Sequence, residues 1–114
     1  MKFSCSRSEL SDALNNVTRA VAVKTTHPAM EGVLLVAKED TLTLSCYNLE
    51  LGIKTYMDIN VKEEGAIVLN AKLFFDMVRR LPTDIIEIDS DEKFITKIMP
   101  YKGYTSMMKM VMKY

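Results

Sequence analysis

An α+β domain with two helices packed on one face of antiparallel sheets is the fold class this sequence predicts. Three observations carry it. Two segments, 8–21 and 71–81, place apolar residues at helical spacing. The stretches between them alternate apolar and polar residues with the period of a strand. The order strand, helix, strand, strand also occurs twice, a repeat of architecture rather than of residues. Such an order lays two helices over two sheets' worth of strands.

Residues 1–6 read as a short strand. Ser8 is the expected N-cap of the first helix, with Glu9 in the first turn, where the helix dipole favours an acid. Leu10, Ala13, Leu14, Val17 and Val21 form its apolar stripe, and Asp12, Asn15, Asn16 and Arg19 lie on the other side. Pro28 pushes His27 out of helical geometry, so residues 24–28 form a turn or loop. Val33 to Ala37 is continuously apolar and suits a strand buried on both faces. Residues 38–40 then make a hairpin turn into Thr41 to Cys46, where Leu42, Leu44 and Cys46 share one side. Leu51 to Val61 alternates as one long strand, followed by a turn at Glu63-Glu64-Gly65.

The order then restarts. Ala66 to Leu69 is a short strand. Residues 71–81 form the second helix, with Phe74, Phe75, Val78 and Leu81 on its apolar face and Lys72, Asp76, Arg79 and Arg80 on its polar face. Pro82 ends it. Ile85 to Asp89 and Phe94 to Ile98 are two more strands, joined at Ser90-Asp91-Glu92. The repeat asks for a partner to strand 51–61 near residues 100–112. That tail supplies it poorly: Pro100 cannot donate to a ladder, and five of the nine methionines fall within 99–112. A shifted reading frame accounts for both the methionine run and the change of charge, because Met and Lys codons read two bases out of phase give mostly Asp and Glu codons. The alternative is a lineage-specific end. The domain is therefore expected over residues 1–98, with 99–114 an atypical tail, frameshifted or disordered.

At 114 residues the chain has the size of one domain, and 48% hydrophobic residues supply one modest core. No apolar run approaches the ~18 residues of a membrane span, and the start lacks a signal-peptide core, which points to the cytoplasm. Fifteen basic and fifteen acidic residues balance overall, but residues 1–96 carry −4 and residues 97–114 carry +4. A simple basic DNA-binding module would read the other way. Cys5 and Cys46 lie far apart in strand-like runs, which suits buried, inert thiols rather than a metal site or a disulfide. His27 has no visible catalytic partner, no phosphate-binding glycine loop is present, and Asp89, Asp91 and Glu92 read as an acidic hairpin turn before a cation site. No catalytic residue, metal or cofactor is expected.

The opening Met1-Lys2-Phe3 with a helix directly after it resembles the start of the bacterial sliding clamps, the DNA polymerase III beta subunits. Thr41-Leu42-Thr43-Leu44 followed by Asn48-Leu49-Glu50 is similar to that family's threonine-leucine strand and (Asp/Asn)-Leu-Glu turn. Ala71-Lys72-Leu73-Phe74-Phe75-Asp76, followed by Leu81-Pro82, is similar to its Ala-(Arg/Lys)-x-Phe-x-(Asp/Glu) helix closing with Leu-Pro. Thr26-x-Pro28 sits where the family has its Thr-x-Pro loop. The match is collinear through about residue 98, and its specificity lies in the ordered set.

The resemblance implies a DNA-clamp fold with an internal pseudo-twofold repeat. Three such domains make a subunit, and two subunits close a ring whose helices line the hole. This chain corresponds to the first domain, with its last strand missing or altered after Ile98. The implied function is that of the N-terminal domain of a non-catalytic clamp that encircles duplex DNA and confers processivity on DNA polymerase III. The implied partners are duplex DNA, other clamp domains or subunits and, for the full-length protein, the polymerase and clamp loader. Lys24, Arg79, Arg19 and Arg80 become candidate phosphate contacts, and Lys72 a candidate subunit-interface residue. Such contacts are sequence-independent and salt-sensitive, which suits sliding. For each, the plain alternative is a solvated surface cation, and for Phe74 and Phe75 it is the core. Partner peptides of the family enter a cleft between the second and third domains, so this chain is expected not to bind them. The competing readings are a stand-alone module of the same fold that associates with or caps a full-length clamp and, weakest, an α+β enzyme with an unseen site.

Overall fold

The computed structural model describes residues 1–20, 32–47, 52–93, 95–100 and 108–111. Strand β1 (Lys2–Ser6) leads into helix α1 (Arg7–Val17) and a 3-10 turn (Thr18–Ala20). Strands β2 (Gly32–Lys38), β3 (Thr41–Tyr47), β4 (Gly52–Asp58), β5 (Asn60–Glu63) and β6 (Gly65–Asn70) follow. Helix α2 (Ala71–Arg80) and strands β7 (Ile85–Ser90), β8 (Ile95–Pro100) and β9 (Met108–Val111) complete the order.

The strands form two antiparallel sheets, ordered β5-β1-β7-β8-β9 and β4-β3-β2-β6. This order is the pseudo-twofold repeat, with one exchange. Each half makes a three-stranded meander after its helix, β2-β3-β4 in the first and β7-β8-β9 in the second. Each meander is then completed by the strand that precedes the other half's helix: β6 pairs with β2, and β1 with β7. Strand β5 is an addition on the outer edge of β1.

The helices begin where short polar side chains replace the missing backbone partners. The cap of α1 is Ser6, not the expected Ser8: the Ser6 hydroxyl accepts from Glu9 N at 3.3 Å, and Ser8 Oγ lies 3.3 Å from it. The cap of α2 is Asn70, whose Oδ1 accepts from Leu73 N at 3.0 Å. Helix α1 stops at Val17 as a regular helix and tightens into the 3-10 turn, short of the expected residue 21. Helix α2 ends at Arg80, and Leu81 turns extended before Pro82, as the residue ahead of a proline prefers.

One core joins the layers. From α1 come Leu10, Ala13, Leu14 and Val17, and from α2 Ala71, Phe74 and Val78, with Leu81 beyond. Phe3, Leu35, Leu42, Leu44, Leu69, Ile86, Ile88 and Ile98 rise from the sheets to meet them. Fully burying each such side chain contributes about 1.5–3 kcal/mol. The helices pack against each other, and α1 lies over β3 and β4. Arg7 ties the start of α1 to the loop after α2: its backbone N donates to Asp84 O at 2.7 Å and its Nε to Thr83 O at 3.1 Å.

Three further sequence expectations are corrected. Val33 to Ala37 is not buried on both faces; Val33, Leu35 and Ala37 are buried, while Leu34 and Val36 are half-exposed. Residues 51–61 are not one strand. The chain breaks at Ile59, sending β4 into one sheet and β5 into the other. The break is held by the β2–β3 hairpin tip, where Glu39 and Asp40 take φ of 53° and 58°, as two-residue hairpin turns of the mirror-image type require. Asp40 O accepts from Ile59 N at 3.0 Å, and Asp40 Oδ1 from Val61 N at 3.1 Å. Lastly, the tail does supply the strand the repeat asked for near residues 100–112: β9 pairs with the edge of β8, as β4 does with β3. It is the symmetry counterpart of β4, so the strand expected to be missing or altered occupies its place in the sheet.

Candidate nucleic-acid interface

The polar faces of the two helices are unlike in charge. On α1 the exposed residues are Ser8, Glu9, Asp12, Asn15 and Asn16, with Arg19 following in the 3-10 turn. On α2 they are Lys72, Leu73, Arg79 and Arg80. Two of these cations, Arg79 and Arg80, occupy the last turn of α2, where the negative end of the helix dipole favours them without any ligand.

Of the predicted contacts, Arg19, Arg79 and Arg80 are exposed, as is Lys72, the predicted interface residue. Lys24 and His27 lie outside the described residues. Arg79 is engaged rather than free. Its Nη2 donates to Asp76 Oδ1 at 2.6 Å, and its guanidinium carbon sits 4.8 Å from the centroid of the Phe75 ring. Arg19, Lys72 and Arg80 form no ion pair with any described residue. Phe74 is fully buried and Phe75 is packed against the core, which leaves neither as a stacking platform for bases.

The remaining candidates resolve into structure. Asp91 Oδ1 accepts from Lys93 N at 2.8 Å and from Ile95 N at 3.1 Å. These bonds, the Ile95 amide foremost, hold its carboxyl below the usual carboxylate range and make the acidic segment a hairpin turn. No group of three or more His, Cys, Asp or Glu among the described residues is placed to hold a metal ion. Cys5 and Cys46 are buried free thiols, each pushed up to about 12 by burial, with Glu9 adding to the shift at Cys5. At neutral pH they are protonated and poor nucleophiles. No helix among the described residues is long and apolar enough to cross a membrane.

Sequence reasoning missed Arg7, which is spent on the Thr83 and Asp84 carbonyls, and the Asp76–Arg79 pair. The pair was legible in principle, since residues three apart on a helix face each other.

Two helices side by side, over two sheets that each borrow a strand from the other half, define a DNA-clamp domain. The comparisons are specific about which. The model of the family described as DNA polymerase III beta subunit, N-terminal domain, matches residues 1–102, and the chain belongs to that family. A beta sliding clamp of Synechococcus elongatus is 44% identical over 86 residues, covering 74% of this chain and 23% of the relative. One of Synechocystis is 42% identical over 111 residues, covering 90% and 28%. A solved Eubacterium rectale chain, itself assigned as a DNA polymerase III beta subunit, superposes with a TM-score of 0.88 at 33% identity, over 97% of this chain and 30% of that one. The chain thus spans about a quarter of the length of the curated relatives it matches.

Proposed function

We propose that this chain serves as the N-terminal domain of a sliding clamp: one sixth of a ring that encloses duplex DNA and keeps DNA polymerase III on its template. The role is mechanical and non-catalytic, and it belongs to the cytoplasm. The observation that supports it most directly is family membership together with two helices packed side by side, the second of which exposes Lys72 and Arg80 without an ion pair to any described residue. Arg80, Arg19 and Arg79, together with Lys24, are the proposed phosphate contacts. Lys72, beside the exposed Leu73, is the proposed subunit-interface cation. Residues 1–98 make the domain body, and 99–114 an atypical end that contributes the last strand.

Phosphate contacts from so few cations are weak, and the acidic body disfavours DNA elsewhere on the surface. Binding of the 114-residue chain to a labelled duplex is expected to be sequence-independent and to disappear as salt rises. Arg80→Ala is expected to flatten the slope of log affinity against log salt by about one, and Arg19→Ala by no more. Binding that persists at high salt, or that Arg80→Ala leaves unmoved, overturns the phosphate-contact reading. Gel filtration with a full-length clamp separates a ring domain from a stand-alone module that caps one: stoichiometric co-elution favours the cap.

A Helicobacter pylori beta clamp has been solved with a DNA ligase peptide bound. In the family the peptide cleft lies between the second and third domains, so residues 1–114 by themselves are expected not to bind such a peptide. A titration showing micromolar affinity for one contradicts that expectation.

A further inference from the structure

The two arginines that end α2 are adjacent in sequence and differently engaged. Arg80 is exposed and forms no ion pair with any described residue. Arg79 is gripped twice: Asp76 takes its Nη2 at 2.6 Å, and the Phe75 ring lies under its guanidinium at 4.8 Å. Both members of the ion pair are about half-exposed, 57% for Arg79 and 49% for Asp76, so the pair sits in solvent and opens readily. Phe75 is anchored against the core and fixes where the guanidinium rests.

Phosphate is recognised best when a guanidinium offers two parallel N–H groups. In Arg79 one member of the fork already faces a carboxylate. A phosphate approaching Arg79 must displace Asp76, and until it does the pair presents no net charge.

We infer that Asp76 is a positioning residue that competes with DNA phosphates for Arg79, so that the last turn of α2 carries one permanent cation, Arg80, and one that is released only on contact. The inference rests on the reading of this helix face as the DNA-facing one. Its consequence is a phosphate grip with a built-in competitor. When the duplex advances, the Asp76 carboxylate takes Arg79 back, and the contact does not have to wait for water to re-solvate a bare guanidinium. Phe75 keeps the side chain within reach of both partners throughout.

The test compares the full chain with Asp76→Asn, Arg79→Ala and the double variant, by fluorescence anisotropy of a labelled duplex across a salt series. Circular dichroism and thermal melts verify that each is folded. Asp76→Asn is expected to tighten binding about two- to fivefold at low salt, the range set by an exposed pair. It is also expected to steepen the log affinity–log salt slope, by less than the ~0.9 of a wholly new phosphate contact, because the competing pair it removes is strongest at low salt. Arg79→Ala in the Asp76→Asn background is expected to erase both gains.

If Asp76→Asn tightens binding equally with and without Arg79, Asp76 acts only as a repelling charge, and the inference is overturned. Weaker binding by Asp76→Asn overturns it too, because the carboxylate would then be presenting Arg79 productively. Duplex binding that depends on Arg80 but is unmoved by Asp76→Asn overturns this inference alone. Binding by none of the four proteins at low salt overturns the DNA-facing reading and the inference with it.

Discussion

The two halves of the domain share a plan and differ in what they expose. Both place a helix of ten or eleven residues over a meander, cap it with a short polar side chain, and bury three or four apolar residues beneath it. On the outside, α1 ends its first turn with an acid and closes on amides, whereas α2 has no acid in its first turn and two arginines in its last. Burial is what the repeat holds in common, and charge is where the halves are free to diverge. An architectural repeat can therefore persist where no residue repeat is visible: packing constrains the apolar inner faces to a size and a period, and solvent constrains the outer faces hardly at all.

The sharpest way to break that comparison is to empty the core under each helix in turn. Phe74→Ala under α2 is expected to destabilise the chain by about 3–5 kcal/mol, and Leu14→Ala under α1 by about 2–5 kcal/mol, in urea denaturation. Both side chains are fully buried in one cluster. A loss below about 1 kcal/mol for either would mean that its helix is not part of the common core.

A second difference is chemical: both thiols, Cys5 and Cys46, belong to the first repeat. Burial raises their pKa from 9.0 to about 12 in the native chain, so the folded state keeps protons that the unfolded chain releases. Their contribution is fully present below pH 9 and declines as pH rises from 9 toward 12, by up to about 1.4 kcal/mol per pH unit for each thiol. Denaturant midpoints are expected to fall over that window, and a Cys5→Ala, Cys46→Ala double variant is expected to fall less steeply. Parallel curves for the two proteins would show that the thiols ionise as freely in the native chain as in the unfolded one.

The smallest contrast is in the caps. Asn70→Ala is expected to cost about 1 kcal/mol, and Ser6→Ala about 0.5 kcal/mol, because the Ser6 bond is longer and its hydroxyl is shared with Ser8. Equal losses in chemical denaturation would remove that distinction between the halves.

The helices, the β2–β3 hairpin and the apolar faces were legible because each is a local pattern. Leu10, Leu14 and Val17, or Leu42, Leu44 and Cys46, announce their inner side by period alone. The break at Ile59 was not legible. Alternation runs through it in phase, Met57, Ile59 and Val61 all facing inward, while the hydrogen-bonding partner changes from β3 to β1. What makes the change is Asp40, nineteen residues back, which claims the Ile59 and Val61 amides. A residue's period reports which side is buried and says nothing of which neighbour completes the ladder. The exchange of β1 and β6 was hidden for the same reason. At the interface, exposure of Arg19, Lys72, Arg79 and Arg80 followed from helical spacing. The spacing made Asp76 and Phe75 legible as neighbours of Arg79; that the guanidinium engages both at once needed rotamers, and a sequence does not carry those.

The exchange of β1 and β6 also bears on how such a domain could have begun. Severed between β5 and β6, neither half retains a four-stranded layer, since the ladders β1–β7 and β2–β6 each join one half to the other. A single ancestral unit of this kind could close its own sheet only by meeting an identical copy across a twofold axis, each lending its first segment to its twin. Fusion of two such genes would have made that loan permanent within one polypeptide, and only afterwards could one copy turn cationic while the other did not.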